Sequence, residues 1–140
     1  MKILLAVDGS DYTKKMLAYL STHAEWLSPS NSYTLLTVQP QLPPRARAAV
    51  GKAVAQSYQH EESEKVLSPV SKFLLRHEVN AKTLAKVGHV GEIISKTAES
   101  GKFDLVVMGS HGHGSWGNLI MGSVATQVLA NCKVPVLLVR

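Results

Sequence analysis

The residues best suited to chemistry lie near the end of the chain. Gly109, Gly112, Gly114, Gly117 and Gly122 crowd into one short stretch, followed by Ser123 and an apolar pattern at helical spacing. Such a stretch either turns sharply or brings backbone close to a ligand, because glycine has no Cβ to hold neighbours away. Its backbone N–H groups form a concavity that favours anions, and a helix opening at Gly122-Ser123 adds its positive dipole end. The N–H groups of Ser123 and Val124 and the Ser123 hydroxyl can donate to phosphate oxygens, or the hydroxyl can help hold a divalent ion between them. After Asp104 the chain contains no acidic residue, so nothing in this tail repels an anion.

Other chemistries fit less well. Gly112-His-Gly-Ser-Trp-Gly117 matches the dinucleotide pattern G-x-G-x-x-G, but that motif needs Asp or Glu about 20 residues on, and none follows. No Gly-Lys-[Ser/Thr] occurs, which excludes a P-loop. His111 and His113 supply too few ligands for a metal and have no Cys or acid beside them in sequence. They read as loop imidazoles facing solvent or an anion, where protonation adds positive charge. Cys132 falls on an apolar stripe and reads as a small buried hydrophobe. Asp8, at the end of an apolar run, is open to two readings, a cap for the next helix or a ligand-binding acid. For Arg45 and Arg47 a solvated face is the default.

These groups need a scaffold, and the pattern supplies one. Lys2 to Asp8 is a continuous apolar run, as a strand buried on both faces requires, and Gly9-Ser10 ends it. A helix capped by Ser10 or Asp11 is predicted next, with Leu17, Leu20, Ala24 and Leu27 at helical spacing until Ser28-Pro29. Ser32 to Val38 reads as the second strand. Helix is predicted over about residues 45–77, with a kink or restart at Pro69, since an interior proline costs about 3 kcal/mol. Glu61 and Lys65 are spaced to pair on its solvent side. Further strands are predicted over residues 81–87, 103–108 and 134–139. Helices are predicted from Val90 to a left-handed Gly101 and along Val124, Ala125, Val128, Leu129 and Cys132. Pro135 assigns the last strand to a sheet edge.

The fold class is therefore α/β: one doubly wound domain, residues 1–140, with a five-stranded, mostly parallel sheet and helices on both faces. Ligands in such sheets bind beyond the carboxyl ends of strands where strand order reverses, which directs attention to Val7-Asp8, Val38 and Met108-Gly109. The composition agrees. The chain has 140 residues, 45% hydrophobic, one Cys and a net charge of +5. No disulfide framework, membrane span or secretion signal is visible, so a cytoplasmic protein is expected. The positive charges are scattered and aromatic residues few, which argues against nucleic acid as the partner.

Gly109-x2-Gly112-x9-Gly122-Ser123 resembles the G-x2-G-x9-G-[ST] hallmark of the universal stress protein family, specifically its ATP-binding branch. The resemblance extends to the strand ending at Asp8, Leu-Thr-Val38, the Val87-Gly88 turn, Met108-Gly-Ser-His-Gly112 and Val134-Pro-Val-Leu-Leu-Val139. It implies a Rossmann-like domain of the adenine nucleotide alpha hydrolase type, binding ATP with Mg or Mn. Asp8 would bond the adenosine moiety, Val38 would meet adenine through its backbone, and Ala6 and Val7 would line the pocket. Met108 and Gly109 would lie under ribose and phosphates, with Gly112, Gly122, Ser123 and Val124 around the phosphate chain. Ala125 departs from relatives that carry a polar side chain there. Trp116 is left open between a cover for the nucleotide and a partner surface.

The expected function is an ATP-binding stress-response or regulatory protein. Efficient hydrolysis is not expected, because the loop offers no carboxylate to position water and no Arg or Lys to neutralise transition-state charge. At most slow hydrolysis follows. The alternative is a relative that binds no nucleotide and acts only through protein contacts. The strand Val134 to Val139, an apolar edge, would be an aggregation hazard if bare, so a homodimer through it is expected.

Overall fold

Ile3, Leu5 and Val7 alternate with Leu4 and Ala6, and a strand with apolar residues at every position must be covered on both faces. The computed structural model describes residues 1–114 and 120–140. In chain order it contains β1 (Lys2–Ala6), α1 (Asp11–Ser21), β2 (Ser32–Gln39), α2 (Pro44–Val50), α3 (Lys52–Arg76), β3 (Lys82–Val87), α4 (Val90–Ser100), β4 (Leu105–Gly109), α5 (Ser123–Asn131) and β5 (Val136–Val139). The strands form one parallel sheet in the order β3-β2-β1-β4-β5.

Two cores follow from that alternation. On one face Ile3, Leu5 and Val7 pack with Met16, Leu17 and Leu20 of α1 and Leu67, Val70 and Leu74 of α3. On the other Leu4, Leu36 and Val106 pack with Ile94 and Ala98 of α4 and Ala125 and Val128 of α5. Each fully buried side chain of this size contributes about 1.5–3 kcal/mol. The strand order reverses between β1 and β4, which puts the crevice rule's location beside Ala6 and Met108, paired across the sheet. β5 is an edge, as Pro135 requires; the Pro135 carbonyl still accepts from Val106 N–H at 2.9 Å.

Several local expectations are corrected. The first helix ends at Ser21 instead of continuing to Leu27. The Thr22 hydroxyl bonds the Ala18 and Tyr19 carbonyls and His23 Nδ1 reaches Tyr19 O, so side chains take the acceptors that a further turn would use. Ser10 is the N-cap residue, yet its hydroxyl makes no cap bond. No restart occurs at Pro69, which stands inside the long helix; the break falls at Gly51, whose φ of 83° and ψ of 161° belong to a region open essentially to glycine. Gly101 is right-handed at φ −79°, and Lys102 takes the positive φ instead. A Cβ at Gly101 would lie 2.5 Å from the Phe103 ring, so glycine is needed there for space. Lys65 pairs with Glu62 at 3.0 Å rather than with Glu61. Leu129 is 45% exposed, outside the stripe that Val128 anchors.

Candidate functional site

Beyond the carboxyl ends of β1, β2 and β4 lies a cavity of about 490 Å³, within the usual range for small-molecule sites. Every residue the sequence singled out lines it: Ala6, Val7 and Asp8 after β1, Val38 on β2, Met108 and Gly109 on β4, Gly112 in the loop, and Gly122, Ser123 and Val124 opening α5. Trp116 and Gly117 lie outside the described residues. Sequence reasoning missed the wall formed by Val90 and Ile94 of α4 with Thr37, Gln39 and Pro40. Their signal was available, since Val90 and Ile94 sit i,i+4 on the helix that follows Gly88.

One end of the cavity is apolar and carries a free backbone edge. Val7 N–H donates to Leu36 O at 2.9 Å, so Leu36 directs its backbone groups toward β1, while Gln39 O accepts from Gly88 N–H on the β3 side. By the alternation of a parallel strand, Val38 also faces the β1 side, but β1 has ended and no hydrogen bond joins Val38 to Val7. The Val38 N–H and C=O therefore look into the cavity, where Ala6, Ile94, Met108 and Val90 provide an apolar surround. That combination suits a flat heteroaromatic ring with a hydrogen-bonding edge.

The other end is formed by the start of α5, which no side chain caps. Helix α5 has Gly122 as N-cap with no side-chain cap, and its first helical bond is Thr126 N–H to Gly122 O at 3.1 Å. The N–H groups of Ser123, Val124 and Ala125 have no acceptor among the described residues, and they project from the positive end of the helix. The Gly122 N–H is already committed to Ser110 O at 2.7 Å. Its role is to close the loop rather than to meet a ligand.

The glycines answer to packing between segments. A Cβ at Gly109 would sit 2.6 Å from Tyr12 Cβ, one at Gly112 would sit 2.6 Å from Asp8 Oδ2, and one at Gly122 would sit 3.1 Å from His111 Cα. The loop thus lies directly on the β1–α1 turn. This modifies the acid-free view of the tail, because the fold brings the Asp8 carboxylate against Gly112.

The two carboxylate oxygens of Asp8 have different surroundings. Its Oδ1 accepts from Ser10 N–H at 2.9 Å and from the Thr13 hydroxyl at 3.0 Å, while Thr13 Oγ1 accepts from the N–H groups of Asp8 and Gly9. This cluster ties down the β1–α1 turn just ahead of α1, engaging the N–H groups of Asp8, Gly9 and Ser10. Oδ2 lies beside Gly112. His113 Nε2 donates to the Asp8 carbonyl at 2.6 Å, and His111 packs at a tilt against Tyr12 with ring centroids 4.7 Å apart while its Nδ1 meets Ser110 Oγ at 2.9 Å. Among the described residues no group of three or more His, Cys, Asp or Glu could hold a metal ion. No helix among them is long and apolar enough to cross a membrane.

Fold and cavity together define an α/β protein with a ligand crevice at the switch point of a parallel sheet. The family model described as the universal stress protein family matches residues 1–140, and the chain belongs to that family. It is 33% identical over 145 residues to a universal stress protein of Thermus aquaticus, spanning 99% of this chain and 97% of that one. It is 32% identical over 139 residues to the universal stress protein Slr1230 of Synechocystis, spanning 99% of this chain but only 42% of that longer protein. The solved structure of MJ0577, from Methanocaldococcus jannaschii, superposes with a TM-score of 0.81 at 26% identity, over 99% of this chain and 94% of that one. More distant members share the fold and were solved with nucleotides. One from Archaeoglobus fulgidus holds dAMP (TM-score 0.71, 18% identity, 100% and 98% covered), and one from Arabidopsis thaliana holds AMP (0.69, 16%, 99% and 90%). A further family structure is a complex with cAMP (0.69, 19%, 100% and 97%).

Proposed function

We propose that the chain is an adenine-nucleotide-binding regulator that takes ATP into the cavity at the β1/β4 switch. One observation carries this reading: a single cavity joins a free backbone edge at Val38 to the uncapped N-terminus of α5. Adenine would lie against Ala6, Val7, Val38 and Met108, with the ribose near Asp8 and Gly109. The phosphates would extend past Gly112 to Ser123 and Val124, the last two donating from N–H groups that have no other acceptor among the described residues. Relatives solved with AMP, dAMP and cAMP support the ligand class. The longer reach to the α5 N-terminus favours ATP within it.

A Mg or Mn ion would arrive with the nucleotide. The donor set suits that arrangement, since Ser123 contributes one exposed hydroxyl and, among the described residues, no cluster could hold the cation by itself. The lining contains no Lys or Arg, so the site binds phosphate without the cations that rapid phosphoryl transfer uses. Nucleotide sensing, with hydrolysis slow at most, is the function this supports. Homodimer formation through β5 belongs to the same proposal.

Calorimetric titration of ATP into nucleotide-stripped protein tests it. Ser123→Ala removes a hydrogen bond to a charged group, worth about 1.5 kcal/mol at the low end, and is expected to weaken binding about tenfold. Absence of heat with the unmodified protein would refute the nucleotide reading. Gly122→Val is a poor control, because its side chain would strike His111 and Ser110 backbone.

A further inference from the structure

His111 and His113 are the only basic side chains lining the cavity among the described residues, and Asp8 is the only acid. The segment from Gly109 to Met121 contains no Lys, Arg, Asp or Glu, so no permanent charge sits on the loop. We propose that His113 is a specificity-determining residue, which makes the cavity's preference for multiply charged phosphate ligands depend on the protonation of one imidazole. This rests on the nucleotide reading of the same site.

The hydrogen bond at the cavity mouth fixes the ring's chemistry. A backbone carbonyl only accepts, so the 2.6 Å contact from His113 Nε2 to Asp8 O requires the proton on Nε2. Nδ1 is left as the basic nitrogen. Protonation there adds a positive charge to a ring that is already tethered, so the loop keeps its attachment to the β1–α1 turn in both states. The charge appears on the cavity lining that also contains Gly112, Ser123 and Val124. Its effect grows with the ligand's negative charge: large for a triphosphate, smaller for a monophosphate, absent for the nucleoside.

The charged surroundings of His113 come from three elements. Asp8, after β1, bonds the ring through its carbonyl and turns its carboxylate toward Gly112. On the loop itself the His111 ring packs at a tilt against Tyr12 of α1, and Lys15 Nζ lies over that Tyr12 ring, 4.6 Å from its centroid. Lys14 of α1 is paired with Asp11 at 3.9 Å, away from the cavity lining. Helix α5 contributes no titratable side chain from Ser123 to Asn131. His111 has the only other imidazole on the lining, and its Nδ1 is engaged with Ser110 Oγ.

The test is a set of binding titrations with ATP, AMP and adenosine at pH 5.5 and pH 8, on the unmodified protein, His113→Asn and His113→Arg. Because the phosphates of the ligands also titrate, the quantity read is the ratio of affinities between protein and variant at each pH. For ATP that ratio to His113→Asn is expected to be near one at pH 8 and about threefold to tenfold at pH 5.5, the range for an exposed to partly shielded charge. It should shrink for AMP and vanish for adenosine. His113→Arg should bind ATP at pH 8 about as tightly as the unmodified protein relative to His113→Asn does at pH 5.5. Parallel pH profiles for protein and His113→Asn, with ATP still bound, would overturn the role of His113 and leave the nucleotide reading intact. No binding of any ligand at either pH would instead remove the nucleotide reading itself.

Discussion

Two glycines in the loop, three residues apart, should fail in different ways when replaced by alanine. A Cβ at Gly109 would stand 2.6 Å from Tyr12 Cβ, 3.2 Å from His111 O and 3.3 Å from Tyr12 C. These atoms belong to or adjoin backbone and cannot swing aside. Overpacking of this kind costs about 1–3 kcal/mol, offset by about 0.4–1 kcal/mol because alanine has fewer unfolded conformations. A net loss of about 1–2 kcal/mol corresponds to a fall in Tm of roughly 4–8 °C for a domain of this size. At Gly112 the only close atom among the described residues is Asp8 Oδ2, at 2.6 Å, the end of a rotatable carboxylate. Rotation weakens the Oδ1 bonds to Ser10 and Thr13, by about 1 kcal/mol, and the alanine gain cancels most of that. Gly112→Ala is therefore expected to hold its Tm within about 2 °C while ATP affinity drops about tenfold, since Asp8 no longer presents Oδ2. Thermal denaturation followed by circular dichroism, paired with calorimetric titration, reads both effects. Equal losses of Tm, or a larger loss for Gly112→Ala, would refute the packing argument.

Replacing Pro69 by alanine restores a backbone donor inside α3 at an exposed position, and chemical denaturation should report a gain of about 1–3 kcal/mol. Glu92 is held below the usual carboxylate range by a hydrogen bond from Lys96 at 2.7 Å and by its charge. Because the folded value is the lower one, the stabilisation is present above the unfolded value near 4.5 and is lost as pH falls through the folded one. Melting curves of the protein and Lys96→Met should thus differ slightly at neutral pH and converge in acid. Sedimentation at micromolar concentration should give the mass of a dimer, and a charged substitution such as Leu137→Lys on β5 should give a monomer.

Much of this protein was legible before the fold. The apolar runs ending at Asp8, Val38 and Met108 marked buried parallel strands, because only strands covered on both faces need apolar residues at every position. Gly109, Gly112, Gly122 and Ser123 marked the loop and helix entry by spacing alone. Local ends were less legible. Helix α1 stops at Ser21 because Thr22 and His23 side chains compete for its carbonyls, and the apolar spacing through Leu27 carries no trace of that competition. Pro69 looked like a break, but tertiary packing of Leu67, Val70 and Leu74 against the sheet outweighs its cost, while Gly51, with nothing packed around it, breaks the helix through its backbone angles.

The sequence by itself determined a parallel α/β sheet, its crevice-forming strand ends and a glycine-spaced loop leading into the last helix, since periodicity and glycine spacing are local properties. Only the tertiary structure decided what meets in the crevice. β1 ends at Ala6, in register with Leu36, while β2 continues to Gln39, which frees the Val38 backbone edge, and the fold brings residues more than a hundred positions apart, Asp8 and His113, into one hydrogen bond. A tail without acids in sequence acquires one in space, because the β1–α1 turn and the loop pack at glycine distance. Charge near the cavity is thus set by chain topology, which no local pattern records.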